Sequence, residues 1–173
     1  LPNEDLAADF YELTSEITSK AGFQAYEVSN YARSGQESRH NLVYWRGGDY
    51  VGIGPGAHGR LTQDNRRSRT EQVPGPTGWL AAVAADGHAT RVCATVPSAE
   101  RAQEYLMMGL RLAEGVDRRL FAEIVGRPLD DCIDGGKVTA LIAAGLLEAD
   151  TRGIRATNAG VQRLNAIIAA IAL

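Results

Sequence analysis

The first hydrophobic pattern along the chain is helical. Apolar residues recur at spacings of three and four at Leu6, Phe10, Leu13 and Ile17, and Gly22 follows as a stop signal. The next stretch, FQAYEVSNYA, alternates apolar and polar residues as a strand does. A helix followed closely by a strand is typical of a β/α unit, in which successive strands lie parallel. The start of the chain is therefore predicted to have an α/β fold.

The middle of the chain combines a short apolar run with a long polar one. Residues 50–54, YVGIG, are bounded by glycines and predict a second buried strand. Residues 60–78 are polar, charged and interrupted by Pro and Gly, which predicts a surface excursion or flap. A short helix, GWLAAVAADG, is predicted next. The segment between the two predicted strands lies where loops of β/α folds converge to bind ligands.

From Ser98 onward the pattern changes to short helices. The predicted elements are helices at residues 98–113, after Asp117 and at about 129–144, two short strands about a turn at Thr151–Gly153, and a helix from Asn158 to the end. This order is typical of a winged-helix-like module. We therefore predict two domains, residues 1–97 and 98–173, with the boundary near Pro97.

The charge and cysteine patterns exclude several classes of protein. The 173 residues include 18 Lys and Arg against 21 Asp and Glu, so no overall basic field attracts nucleic acid or anionic lipid. The helix predicted near residues 129–144 carries three aspartates and one lysine in the stretch LDDCIDGGKVTALIAAG, the wrong sign for a phosphate backbone. Cys93 and Cys132 form no metal-binding or disulfide pattern. These features predict a cytoplasmic protein with no nucleic-acid partner.

Two features of the ends and apolar runs add to this picture. No apolar run reaches about 18 residues and no signal peptide is recognisable, so we predict no transmembrane segment. The chain begins without Met and enters a helical pattern almost at once. This indicates a piece of a longer protein.

The segment HNLVYW, residues 40–45, is the strongest candidate for chemistry. His40 could be a metal ligand, a general base or an ordinary hydrogen-bonded core histidine. In a turn of helix, Tyr44 and Trp45 would project near it. Aromatic walls around a histidine suit a flat apolar cofactor such as haem, whose iron binds a histidine nitrogen. The residue pattern alone leaves core packing and haem binding as equal alternatives.

Neighbouring residues extend these alternatives. Arg39 and Arg46 could pair with haem propionates through bidentate contacts. His58 is a second candidate ligand with weaker surroundings, whereas His88 is most simply a surface residue or helix cap.

GPGAHG, residues 54–59, matches the dinucleotide fingerprint GxGxxG, but it contains Pro55 and no amphipathic helix follows. We interpret that match as accidental. The glycines suit either a tight turn or a close approach of the backbone to a ligand or another segment, and the sequence leaves the two as equal alternatives. GxSxG, HExxH and GxxxxGK[ST] patterns do not occur in the chain, which excludes the commonest hydrolase and P-loop classes.

Several motifs occur together and in a specific order. YEVSNYARSGQESRHNLVYWRGGDYVGIGPGAHG, followed later by EYLMMGLRLAEGVD, resembles the oxygen-independent coproporphyrinogen III oxidase-like family of radical S-adenosylmethionine proteins. The resemblance is greatest to its branch of HemW haem chaperones and spans essentially the whole chain. It implies the C-terminal half of such a protein, comprising part of a partial β/α radical-SAM barrel and a small helical winged-helix-like domain.

The resemblance also implies site residues. The haem signature HNxxYW corresponds to His40, Asn41, Tyr44 and Trp45, with His40 as the candidate ligand of the haem iron. The segment near bound S-adenosylmethionine corresponds to Gly52, Ile53 and Gly54. The cluster-binding CxxxCxxC belongs to the other half of the family's proteins. Cys93 and Cys132 cannot replace it, because three thiolates must converge on one [4Fe–4S] cluster. We therefore expect no catalytic residues in this chain and no enzyme activity from it alone.

The function implied is that of a haem chaperone, which binds haem and transfers it to acceptor proteins. The full-length parent would use a [4Fe–4S] cluster and S-adenosylmethionine. One alternative is a fragment of an oxygen-independent coproporphyrinogen III oxidase, which performs radical oxidative decarboxylation in porphyrin biosynthesis. Another is a winged-helix interaction module. A barrel cut open exposes strand edges and an apolar face, so a homo-oligomer is a further possibility.

Overall fold

The computed structural model describes residues 3–64 and 66–173 of the protein. Its α-helices are α1 (Glu4–Lys20), α2 (Arg39–Trp45), α3 (Pro76–Asp86), α4 (Ser98–Gly109), α5 (Arg118–Val125), α6 (Gly135–Ala143), α7 (Asn158–Val161) and α8 (Leu164–Ile171). Its strands are β1 (Gln24–Glu27), β2 (Asn30–Ala32), β3 (His58–Gln63), β4 (Arg66–Gln72), β5 (Thr90–Thr95), β6 (Val116–Asp117), β7 (Leu147–Ala149) and β8 (Gly153–Ala156). None of these helices combines the length and apolar character needed to cross a bilayer.

Helix α1 forms where the periodicity predicts it. The Asn3 side chain caps it by accepting a hydrogen bond of 2.9 Å from the Leu6 N–H. Its apolar stripe is nevertheless uncovered, since Leu6, Phe10, Leu13 and Ile17 are each between 43 and 58% exposed. No other described part of the chain therefore covers this stripe and buries it.

The strand predicted after α1 is a hairpin instead. β1 and β2 pair antiparallel, with Gln24 opposite Ala32, because the residues between them form a turn. The Glu27 carboxylate stabilises that turn by accepting hydrogen bonds of 3.1 Å from the Ser29 N–H and hydroxyl. Every strand pairing in residues 3–64 and 66–173 is antiparallel, and the parallel partner that a β/α unit would give β1 is not among these residues, so that pairing stays a prediction.

The β1–β2 hairpin is tied to the second half of the chain by backbone hydrogen bonds. The Val28 N–H donates to the Arg111 carbonyl at 3.1 Å, and the Ala113 N–H donates to the Tyr26 carbonyl at 3.0 Å. These bonds fix the hairpin against the segment that follows α4.

The flap predicted at residues 60–78 is also wrong. Most of it is the antiparallel pair β3–β4, to which β5 adds as a third strand in the order β3-β4-β5. β4 has the sequence RRSRTEQ, so it contains no apolar alternation that could indicate a strand. Pairing with neighbours on both sides, rather than hydrophobic patterning, holds it in the sheet.

The second half follows the predicted order with shorter elements. Asp117 caps α5, accepting from the Leu120 N–H at 2.9 Å, and β6, β8 and β7 form an antiparallel sheet in that order. The predicted helix at 98–113 ends at Gly109, and the one near 129–144 divides into a 3₁₀ turn, Leu129–Asp131, and α6. The division arises because Asp134 caps a new helix, accepting from the Lys137 N–H.

The last predicted helix likewise divides, into α7 and α8. Thr157 caps α7 through its hydroxyl, which accepts from the Gly160 N–H at 3.0 Å.

The hydrophobic core lies within residues 102–171. Its most enclosed side chains are Leu106, Phe121 and Ile171, which have no exposed surface. Helices α2 and α3 contribute no buried residue to it. The domain boundary near Pro97 stays a prediction.

Gly160 allows two elements of the core to touch. A Cβ at this position would lie 1.9 Å from the Leu146 carbonyl oxygen, which already accepts from the Thr157 N–H. We expect Gly160→Ala to lower the free energy of unfolding by about 1–3 kcal/mol, measured by urea denaturation, because α7 must move away from β7.

Gly135, the first residue of α6, provides the matched control, since a Cβ there would meet no atom within 4 Å. Gly135→Ala should change the stability by less than about 1 kcal/mol. Equal losses of stability in the two variants would contradict this account.

Candidate functional site

The segment HNLVYW forms the helix α2. The Ser38 hydroxyl caps it by accepting from the Asn41 N–H at 3.4 Å, and the Arg46 N–H closes its last turn on the Leu42 carbonyl at 2.9 Å. α2 packs against α4, so a seven-residue helix is held by tertiary contacts rather than by its own length.

His40 lies on the exposed side of α2, beside two tyrosines. The hydroxyl of Tyr44, one turn later, shares a hydrogen bond of 2.8 Å with His40 Nε2. Their rings meet edge to face at 4.8 Å, and Tyr44 meets Tyr50 in the same manner at 4.5 Å. The structure therefore presents His40 at the surface with an aromatic wall, and does not bury it in the core.

The other two signature residues anchor the helix. Asn41 donates from Nδ2 to the Tyr26 hydroxyl at 3.2 Å, which connects α2 to β1. The Arg111 guanidinium lies over the Trp45 ring, 5.4 Å from its centre. Trp45 is thus engaged with the segment after α4, and of the two predicted aromatic neighbours it is Tyr44 that contacts His40.

The two arginines at the ends of α2 differ in whether they already have a carboxylate partner. Arg46 makes two hydrogen bonds, of 2.8 and 2.9 Å, to the Glu114 carboxylate. These bonds raise the pKa of Arg46 above its ordinary value. Arg39 is exposed and has no ion pair among the residues that the structure describes. Of the pair predicted to meet propionates, Arg46 already has a carboxylate partner.

The segment Gly52, Ile53 and Gly54 is an exposed loop, so the buried strand predicted there is wrong. Tyr50 and Arg60 exchange backbone hydrogen bonds of 2.8 and 2.9 Å, after which the chain bends outward and leaves Ile53 82% exposed. Gly52 is required because a Cβ there would lie 2.4 Å from the His58 carbonyl oxygen. The loop presents its backbone and the Ile53 side chain at the surface, and its contact with S-adenosylmethionine stays a prediction.

A cavity that the sequence analysis did not predict lies between α4 and the β3–β4 pair, close to Tyr44. Its volume is about 120 Å³. Three arginines, Arg60, Arg67 and Arg101, line it, and we call it the arginine cavity. Its other lining residues are Tyr44, Gly47, Tyr50, Glu104, Tyr105, Met107, Met108 and Ile124. The only sequence signal was the arginine-rich stretch RRSR, which predicts surface rather than a cavity wall.

Arg67 is the most buried of these arginines, at 6% exposure. It donates to the Gly47 carbonyl at 2.8 Å, the Gly48 carbonyl at 3.2 Å and the Asp49 carboxylate at 3.3 Å. Burial lowers the pKa of Arg67 from its ordinary value, against the attraction of Asp49. The loop that follows α2 is therefore held through a buried charge.

The thiols do not fit an iron–sulfur cluster. Cys93 is exposed on β5, whereas Cys132 is buried beside the core, where desolvation raises the pKa of its thiol. Within residues 3–64 and 66–173, no three His, Cys, Asp or Glu side chains come together in a metal-binding arrangement. No reaction step through such a cluster can be derived from this chain's residues.

The chain is similar in sequence to several known proteins. Residues 96–163 match the HemN C-terminal domain. The mouse radical S-adenosyl methionine domain-containing protein 1, mitochondrial, is 39% identical over 173 residues, covering 96% of this chain and 39% of that protein. The haem chaperone HemW of Escherichia coli K12 is 37% identical over 147 residues, covering 80% of this chain and 38% of that protein.

The fold has a counterpart among solved structures. Coproporphyrinogen III oxidase (HemN) from Escherichia coli, described as a radical SAM enzyme, superposes with a TM-score of 0.71 over 98% of this chain and 42% of that one, at 17% identity. This likeness shows a shared mixed α/β fold. The chain thus has the fold of the C-terminal part of HemN-like proteins. It is similar in sequence to the proteins named haem chaperone HemW and spans between a third and two fifths of the length of these relatives.

Tyr105, in the arginine cavity, makes the stability of the folded protein depend on pH. Burial raises the pKa of Tyr105 to about 12, and its ring packs edge-on against Phe121 at 5.6 Å. An unfolded tyrosine ionises near pH 10, so this contribution to stability is complete below pH 10 and is lost as the pH rises towards 12.

Between pH 9 and pH 11.5, the unfolding free energy of the parent chain should fall by about 1–2 kcal/mol more than that of Tyr105→Phe. Urea denaturation at the two pH values measures the difference. An equal fall in both proteins would show that Tyr105 ionises as readily in the folded state as in the unfolded state.

Proposed function

We propose that this chain is the C-terminal portion of a haem chaperone and carries the surface on which haem is held before transfer to acceptor proteins. The observation that carries the proposal is the exposed His40 on α2, with Tyr44 and Tyr50 beside it. The relationship to proteins named haem chaperone HemW supports it.

The chemistry of His40 suits a cargo that must be released. Its Nε2 is hydrogen-bonded to the Tyr44 hydroxyl, so an iron that binds this nitrogen must displace the tyrosine. A hydrogen bond of this kind contributes about 0.5–1.5 kcal/mol. The Tyr44 hydroxyl would therefore compete with the haem iron for His40 Nε2. The haem would lie on an exposed helix rather than in a closed pocket.

The two predicted domains of this chain take separate places in the proposed chaperone. We propose that residues 1–97 are the C-terminal part of a partial radical-SAM barrel and that residues 98–173 are a winged-helix-like domain. The uncovered stripe of α1 and the exposed Ile53 support a further layer of protein and cofactor against the first part. The [4Fe–4S] cluster and S-adenosylmethionine belong to the full-length parent, and this chain alone is not an enzyme.

The alternative of a coproporphyrinogen III oxidase fragment has less support. The likeness to that oxidase, at 17% identity, concerns the fold, whereas identities of 36–37% relate the chain to haem chaperones. We propose a cytoplasmic location from the sequence features alone, and the mouse relative is named as mitochondrial. Haem and haem-acceptor proteins are the proposed partners, and nucleic acid is not. The apolar stripe of α1 would also allow two copies of the chain to associate.

A haemin titration followed by absorbance tests the proposal. We expect a saturable shift of the Soret band with this chain, and a loss of affinity of at least about tenfold in His40→Ala because the iron loses its ligand. His88→Ala is the matched control. His88 is also exposed, but it lies away from α2 in the sequence, and its Nδ1 accepts a hydrogen bond from the Thr90 N–H. Unchanged affinity in His40→Ala would rule out His40 as the iron ligand.

Tyr44→Phe tests the competition for Nε2. Removing the hydroxyl frees the nitrogen, so haemin should bind about two- to tenfold more tightly. Tyr50→Phe is the control, because it keeps the ring that packs against Tyr44 and no hydrogen bond to His40 is lost. Weaker binding in Tyr44→Phe would mean that the hydroxyl contacts the cargo instead of competing with it.

A further inference from the structure

The arginine cavity has more positive charge than its carboxylates balance. Arg60 donates to both oxygens of Glu104, at 2.6 and 3.2 Å, and Arg67 pairs with Asp49. Arg101 donates to the Ile124 carbonyl at 2.6 Å, but no carboxylate pairs with it among the residues that the structure describes. Its Nε is buried and has no hydrogen-bond partner there. One guanidinium therefore retains a donor without an acceptor.

The three positive charges also repel one another. Burial is the largest cause of the lowered pKa of Arg67; the attraction of Asp49 and Glu104 opposes it, and the repulsion of Arg60 and Arg101 adds to it. A negatively charged group in the cavity would relieve this repulsion and give the Arg101 guanidinium a carboxylate partner. Guanidinium groups bind carboxylates well because their paired N–H groups match the two carboxylate oxygens.

The size and position of the cavity restrict what can enter. At about 120 Å³ it is smaller than the roughly 300–1,000 Å³ of pockets that enclose a whole drug-sized ligand, so it can take a short acidic arm but no tetrapyrrole ring. Tyr44 and Tyr50 line it, and the same Tyr44 is hydrogen-bonded to His40. The cavity thus adjoins the proposed cargo surface, and Met107 and Met108 offer apolar contacts to the methylene groups of such an arm.

We propose that the arginine cavity binds a carboxylate, namely a propionate arm of the porphyrin whose ring lies on the exposed side of α2. The identity of the ligand rests on the proposed function. The carboxylate chemistry itself rests on Arg60, Arg67 and Arg101, and a small free acid has the same chemistry. In this arrangement Arg101, and not the already paired Arg46, is the main partner of the propionate.

Metal-free protoporphyrin IX and its dimethyl ester test the proposal by titration with this chain, followed by porphyrin fluorescence. Neither probe contains iron, so His40 cannot ligate them, and only the acid carries carboxylates. We expect the acid to bind at least about tenfold more tightly than the ester. Arg101→Gln should weaken binding of the acid to the level of the ester and leave the ester unchanged.

Two further variants control for folding and for general surface charge. Arg101→Lys keeps the positive charge but loses the fork of donors, so its affinity for the acid should lie between those of the parent chain and Arg101→Gln. Arg91→Gln removes an exposed arginine that pairs with Glu71 at 2.7 Å, and it should leave both affinities unchanged.

The outcomes separate this proposal from the proposed function. Equal binding of acid and ester, no binding of either, or an equal effect of Arg101→Gln on both overturns the arginine cavity as a propionate site. If the preference for the acid persists in His40→Ala while its haemin Soret shift is unchanged, the cavity is supported and His40 as iron ligand fails.

A titration with sodium propionate, followed by NMR of the arginine Nε–H signals, distinguishes a small free acid from a porphyrin propionate as the ligand of the cavity. Arg101-dependent shifts with propionate, together with no preference between acid and ester porphyrin, would overturn the porphyrin assignment in favour of a small acid.

Discussion

The buried guanidinium of Arg67 fixes the geometry on which the candidate site depends. A charge with 6% exposure is stable in the folded protein only while its hydrogen-bond acceptors stay in place, and these are the carbonyls of Gly47 and Gly48 and the Asp49 carboxylate. All three belong to the loop that leaves α2. The loop therefore cannot move off the β3–β4–β5 sheet without leaving a buried charge unpaired, and the positions of Tyr44 and Tyr50 follow from it.

Elements with local signals could be predicted from the sequence, and elements held by distant partners could not. Helices α1, α3 and α5 and the β7–β8 hairpin were predictable because caps, periodicity and turn residues lie within each of them. Strands β3 and β4 were not, since their mostly polar sequences have no apolar alternation. The prediction for YVGIG failed for the opposite reason, because Val51 and Ile53 are apolar and yet exposed.

The candidate site shows the same division. The HNxxYW motif indicated a functional segment, and helical spacing correctly brought Tyr44 to His40. Spacing could not show that Trp45 would pack against Arg111, a residue far along the chain. Nor could it show that Arg60, Arg67 and Arg101 would meet, because two strands and a helix contribute them and only tertiary packing brings these elements together.

The contacts that position α2 have a consequence for the order in which the protein folds. α2 has seven residues and is too short to be stable alone, and its C-terminal end is held by Glu114, 68 residues after Arg46. During synthesis, the residues that hold α2 emerge from the ribosome long after α2 itself. The His40 surface of α2 is therefore synthesised early but becomes ordered late. A nascent chain can present an ordered His40 only after the segment from α4 to Glu114 has folded.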